Sequence, residues 1–342
     1  MRRFAGRVDK ENIPVEKIAT AIPLAVGMKL REAPHFWNDL FDRWVAGRLP
    51  STARCRVFIG WSGMSLHALR AAKKQGKVTV IERGSSHIQY QDKILNEEYG
   101  KFGIHFNIDP RTVEKELKEY EEADFISIPS TFVKNSFLEY GVPEQKLFLN
   151  PYGAGTYFHP VETDFPKDVF RVLYLGSLTI QKGLIYLFEA LHQLEIPGME
   201  AWFIGKIDDE MKSTVEKFAR PNWKFFGFIN HYELPKYISA CDVAVQPSLQ
   251  EGLSMVIPQL LSCGVPVVAT TNTGGQDVIS EGENGFIVPV RSPEAIAGKI
   301  RQLYDDRTSL DRMKRAAASA GKGTLTWDEY GNRYVDFLNE LI

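Results

Sequence analysis

The second half of the chain alternates short apolar runs with segments of helical period. Apolar runs at Phe170–Leu178, Met199–Gly205, Trp223–Ile229, Asp242–Pro247, Pro266–Thr270 and Gly285–Val290 predict six buried strands. Between them, helices are expected over Gly183–Leu194, Asp209–Phe218 and Glu233–Ala240. A further one follows Glu251, with a short one near Gln276–Ile279. Continuous rather than alternating apolar strands, each followed by a helix, argue for an α/β protein with a parallel, doubly wound sheet.

The first half repeats this less cleanly. Strands are expected at Arg56–Gly60, Lys77–Glu82 and Phe125–Pro129, and helices at Ser65–Lys74, Gln89–Glu98, Val113–Glu122 and Phe132–Tyr140. Before them, Trp37, Leu40, Phe41, Trp44 and Val45 recur at helical spacing. Pro160 and Pro166 interrupt regular structure around 158–168, the expected linker. The reading is therefore two domains, 1–162 and 163–325. A last helix, Trp327–Leu341, within 326–342, is expected to pack back on the first domain.

Composition changes this picture little. Hydrophobic residues at 44% and charged residues at 25% are those of a globular chain. No apolar run approaches the roughly 18 residues of a membrane-spanning helix, and Ile18–Val26 follows acidic residues, unlike a signal peptide. Cys55, Cys241 and Cys263 lack metal or disulfide spacing and are expected to be buried thiols in a reducing cytoplasm. The formal net charge of −2 hides an excess of Arg and Lys before residue 78 and of Asp and Glu after it. A basic first part can steer an anionic partner or lean on an anionic membrane surface. No nucleic-acid motif accompanies it, so no nucleic-acid partner is expected.

The chemistry gathers in residues 247–270. Glu251 lies in a loop between a strand end and a helix start, where Ser254 is a candidate cap. Unpaired amides and the helix dipole at such a terminus favour phosphate, and a neighbouring carboxylate can accept bonds from hydroxyls carried on it. Phosphate with a polyol describes a nucleotide sugar.

This stretch resembles the signature of retaining glycosyltransferases of group 1, family four, which have the GT-B fold of two Rossmann-like domains facing a cleft. The family pattern is a Glu, seven residues, a second Glu, then Gly-x-Pro-Val-Val. Glu251, Gly264, Pro266, Val267 and Val268 fit, while the second acidic position is Gln259 and the usual Phe-Gly pair is Leu253-Ser254. Residues 123–153 resemble the family too, in Ala-Asp…Pro-Ser, Gly-Val…Lys-Leu and Asn-Pro-Tyr-Gly, with Phe-His-Pro following. Families of this fold open on a buried strand and a Gly-rich turn. Here the first convincing strand is at Arg56, which implies a missing initial strand–turn–helix, through a start assigned downstream of the true one or a reduced domain.

The resemblance implies a donor site. Gly176, Ser177, Lys182 and Gly183 stand where the family clamps diphosphate, with Ser177 in place of an Arg. Glu251 would hold sugar hydroxyls beside Gly252 and the amides of Leu253, Ser254 and Met255. Eight helical residues span about 12 Å, so Gln259 would reach the ribose; Gln keeps an acceptor but loses a charge-assisted bond. Thr273-Gly274-Gly275 would let backbone approach the ligand or the facing domain. From the first domain, Arg83 and His87 in Glu-Arg-Gly-Ser-Ser-His are the candidates to face the cleft, whereas His67, His159 and His231 read as structural.

The expected catalytic set is Glu251, Lys182 and His87. With no Asp-x-Asp in the chain, no metal is expected, and no cofactor beyond the donor substrate. The implied activity is retaining transfer of a sugar from a nucleoside diphosphate to an acceptor hydroxyl of a glycan or glycolipid. It would occur in the cytoplasm, with peripheral contact to the inner membrane face. The alternatives are a non-catalytic nucleotide-sugar-binding relative or partner subunit, and an epimerase or phosphorylase of the same fold.

Overall fold

The computed structural model describes residues 34–49, 55–323 and 325–341. The expectation about an initial strand and Gly-rich turn lies outside these residues.

The chain starts with helix α1 (Pro34–Ala46), strand β1 (Val57–Trp61), α2 (Leu66–Lys74), β2 (Val78–Glu82), α3 (Ile88–Lys101), α4 (Pro110–Glu122), β3 (Phe125–Ile128), α5 (Thr131–Glu139) and β4 (Leu147–Leu149). The four strands form one parallel sheet in sequence order. Asp42 of α1 is fully buried and accepts from the amides of His67 and Ala68 at 2.9 and 2.8 Å, capping α2 from another element.

The second domain runs β5 (Arg171–Leu175), α6 (Leu184–Gln193), β6 (Glu200–Ile204), α7 (Lys212–Phe218), β7 (Trp223–Gly227), α8 (Leu234–Ser239), β8 (Val243–Gln246), α9 (Val256–Ser262), β9 (Val267–Thr270) and β10 (Gly285–Val288). Then follow α10 (Pro293–Asp305), α11 (Arg307–Lys322) and α12 (Trp327–Glu340). The six strands are parallel in the order β10-β9-β8-β5-β6-β7. Along β5, Val172 and Tyr174 enter one core and Leu173 and Leu175 the other, so both faces are covered and the strand needs no polar side.

Helix α12 returns to the first sheet. Phe337 stacks on Phe148 with centroids 3.9 Å apart, Tyr330 donates to Glu82 at 2.7 Å, and Arg333 donates to Asn150 and Pro151.

Several expectations need correction. Strand β4 was not anticipated: Leu147-Phe148-Leu149 is apolar throughout but only three residues long, too short to stand out as a strand. Residues 293–322 form two helices where none was assigned. Gln276–Ile279 holds only a single 3₁₀ turn at Gly275–Asp277. Cys241 and Cys263 are buried, with the Cys263 thiol pushed up to about 12 by burial, but Cys55 is only half-buried.

Candidate active site

In the second sheet the winding reverses at β5, which pairs with β6 on one side and β8 on the other. Crevices at such a reversal, beyond the carboxyl ends of the strands, are where open α/β sheets take ligands. Gly176 follows β5 and the loop 247–255 follows β8, so both stand at that crevice.

Gly183 opens α6 in the left-handed region at φ 67°, and a Cβ there would stand 2.1 Å from the Pro247 carbonyl oxygen. Only glycine allows the two loops to meet. Their contact brings Lys182 to Glu251: the ammonium pairs with Oε1, and the Ser248 hydroxyl donates to that same oxygen at 2.9 Å. The pair is half-buried, in reach of both solvent and ligand. Below it the phenol of buried Tyr174 donates to the Ser177 carbonyl at 2.8 Å; burial, then the Glu251 charge, push that phenol well up. The Ser177 side chain faces solvent.

The helix after the loop offers less than its sequence implied. α9 has seven residues, and its cap position, Met255, makes no side-chain capping bond. Ser254 is not the cap: its amide donates to the Thr273 carbonyl at 2.9 Å. The amides of Leu253 and Met255 have no acceptor among the described residues. The Leu253 side chain is core, Met255 is exposed, and half-buried Gln259 makes no side-chain bond among the described residues.

Across the cleft the domains touch. A Cβ on Gly252 would be 2.1 Å from the Gly84 carbonyl oxygen. Ser130 donates to the Gly252 carbonyl at 2.6 Å, and Thr131 donates to Asp277 through its amide at 2.7 Å. Gln250 is fully buried, and its amide donates to the hydroxyls of Ser85 and Ser86 at 2.6 and 2.9 Å. The loop Thr273-Gly274-Gly275 is buried against this junction, where a Cβ on Gly274 would meet Ser130 and the Gly252 carbonyl. Sequence reasoning missed Gln250, Ser130 and Asp277. Their one signal was a polar residue at a strand's carboxyl end or in the loop beyond it.

The two candidates from the first domain do not line the cleft as expected. Arg83 is buried: its guanidinium pairs with Glu116 at 2.8 Å and donates to the Ser86 carbonyl at 3.0 Å and to Gln91 at 2.7 Å. Its charge is spent inside the domain and does not replace the cation missing at Ser177. His87 is 2% exposed; its Nδ1 accepts from the Gln89 amide as the cap of α3, and its ring stacks on Tyr140 at 4.6 Å. Burial, then the Arg83 charge, pull the imidazole down to about 4, so it is a neutral aromatic of the core.

Two facing parallel α/β domains, with an ammonium–carboxylate pair at the reversal of the second, make this a protein of GT-B architecture. Residues 158–320 match the family model described as "Glycosyl transferases group 1". Alpha-D-kanosaminyltransferase of Streptomyces kanamyceticus is 26% identical over 216 residues, 58% of this chain and 56% of that protein. The lipopolysaccharide core biosynthesis glycosyltransferase LpsE of Rhizobium meliloti is 28% identical over 180 residues, 51% of each. The chain thus spans about half the length of these curated relatives. Among solved structures, sucrose-phosphate synthase from Thermosynechococcus elongatus superposes with a TM-score of 0.73 at 20% identity, over 91% of this chain and 79% of that one. HepE from Anabaena in complex with UDP-glucose gives 0.65 at 17% identity, over 83% and 79%.

Proposed function

We propose that this protein transfers a glycosyl group from a nucleoside diphosphate sugar to an acceptor hydroxyl with retention of configuration, in cell-surface glycan or glycolipid synthesis. The observation that carries the reading is the Lys182–Glu251 pair at the sheet reversal. Lys182 stabilises the charge that develops on the departing diphosphate, and Glu251 accepts bonds from donor sugar hydroxyls. The acceptor attacks the face that the diphosphate leaves, and a phosphate oxygen takes its proton. Contact across Gly252 and Gln250 keeps water from the donor. The similarity to HepE in its UDP-glucose complex and to a lipopolysaccharide core transferase supports the donor class and the setting. No helix among the described residues is long and apolar enough to cross a membrane. We place the protein in the cytoplasm, touching the inner membrane face through its basic first part, and working without a metal. Ser177 and Gln259, which depart from the family pattern, favour one second reading: a relative that binds the nucleotide sugar without turning it over.

The test is calorimetric titration of nucleoside diphosphates and their sugars, UDP and UDP-glucose among them, without added metal. Saturable binding to one base, weakened in Lys182→Ala, supports the site. A folded sample that binds none of them overturns it, and binding of the intact donor without transfer favours the second reading. Gln259→Glu is expected to hold or improve donor affinity, since charged hydrogen bonds are worth about 1.5–3 kcal/mol against about 0.5–1.5 for neutral ones.

A further inference from the structure

The carboxyl end of β1 faces the Glu251 loop across the domain junction. Trp61, its last residue, is a large apolar side chain that is 48% exposed. Its ring atoms lie 3.2 and 3.4 Å from where a Cβ on Gly84 would stand, and the Tyr152 hydroxyl lies 3.0 Å from the same point. The Gly84 carbonyl in turn touches Gly252, next to Glu251. Trp327, 40% exposed, is 5.8 Å from Tyr152, centroid to centroid. Trp61, Tyr152 and Trp327 therefore make an aromatic wall beside the donor carboxylate. The Tyr152 hydroxyl bonds to no group among the described residues.

The charges nearby decide what such a wall takes. The α2 helix begins just after Trp61, but buried carboxylates fill its start. Glu119 accepts from the amides of Gly63 and Ser65 at 2.5 and 2.8 Å, and Asp42 accepts from those of His67 and Ala68. Arg83, the neighbouring cation, is spent on Glu116. An anion gains nothing from that terminus or from Arg83. A neutral sugar ring does fit, because its C–H face packs on the electron-rich face of an indole while its hydroxyls bond outward.

We propose that Trp61, with Tyr152 and Trp327, forms the acceptor subsite and that the acceptor presents a neutral sugar ring there. This rests on the donor reading above. Placed on Trp61, the ring lies one glycine contact from the loop that holds the donor.

The test is saturation-transfer NMR on UDP-saturated protein with cellobiose, lactose, maltose and chitobiose as probes, and farnesyl phosphate in a separate arm. At least one disaccharide is expected to receive saturation at its ring C–H protons. Trp61→Ala should weaken that binding by about tenfold and Trp61→Phe should restore most of it, with UDP affinity unchanged in both. The proposal is overturned if no disaccharide binds, if Trp61→Ala binds as well as wild type, or if only farnesyl phosphate binds. Calorimetry with the panel of nucleoside diphosphates separates the two ideas: nucleotide binding that persists while the disaccharides fail leaves the donor site standing, and a folded protein that binds none of the nucleoside diphosphates sinks both.

Discussion

Lys182 and Glu251 neutralise each other across two loops, and this predicts mutational effects of opposite sign on one ligand. UDP lacks the transferable sugar that Glu251 would hold, so Glu251→Ala frees the ammonium for phosphate and should tighten UDP, while Lys182→Ala weakens it. Transfer to an acceptor should fall in both, on the order of 100-fold for Glu251→Ala. If both variants move UDP affinity the same way, the pair does not sit at the diphosphate. His87 makes a prediction about pH. Its imidazole, held at about 4 in the fold against roughly 6.5 in the unfolded chain, means that the unfolded state binds more protons between those values. Stability from this group is therefore complete above about pH 6.5 and is lost as pH falls toward 4, on the order of 3 kcal/mol in all. Glu119, raised by burial to about 7, pulls the other way, losing stability as pH rises from about 4.5 through 7. Urea midpoints at several pH values isolate the histidine as the difference in slope between wild type and His87→Asn. Equal slopes would mean that the ring is not buried neutral.

Helix α2 shows how one element depends on another. Its amides at His67 and Ala68 end on Asp42, which is also paired with Lys115 at 2.8 Å. Asp42→Ala removes the cap and takes the nearest carboxylate from a buried ammonium, leaving it the longer contact to Asp39, so a loss on the order of 3 kcal/mol is expected in denaturant titration. A loss under 1 kcal/mol would show that α1 does not hold α2. None of this was legible in the sequence, because Asp42 is separated from its amides by strand β1 and a loop. The strands of the second sheet were legible: both faces are covered, so β5 and β8 read as unbroken apolar runs. β4 is apolar too, but its three residues are too short a run to be told from a loop. Glu251 and Lys182 were singled out because each precedes a glycine, Gly252 in the loop after β8 and Gly183 at the start of α6, and the structure brings the two side chains together. Arg83 and His87 were misread because a loop at a strand's carboxyl end says nothing about which side chains turn inward. Here Glu116 and the aromatic cluster of α4 and α5 claimed both.

The two domains meet at the helix Ile88–Lys101, where Glu98 accepts from Tyr186 and Arg291, and at Gly252, where backbone meets backbone. A methyl at that position would lie 2.1 Å from the backbone oxygen of Gly84, a contact that no rotamer change relieves. The backbone itself tolerates alanine there, since Gly252 has no positive φ. Gly252→Ala should therefore leave each domain folded and push the domains apart. That separation strains the bonds from Ser130 to the Gly252 carbonyl and from Gln250 to Ser85 and Ser86. It also moves the first domain away from Glu251 while the donor loops stay intact. UDP affinity should change little. Transfer should fall about tenfold or more, because misplacement of reacting groups by about 1 Å costs rate steeply, and donor hydrolysis should rise relative to transfer as water enters. Small-angle scattering should report a larger radius of gyration for the variant. A radius equal to wild type, with transfer unchanged, would mean that the junction at Gly252 plays no part in bringing donor and acceptor together.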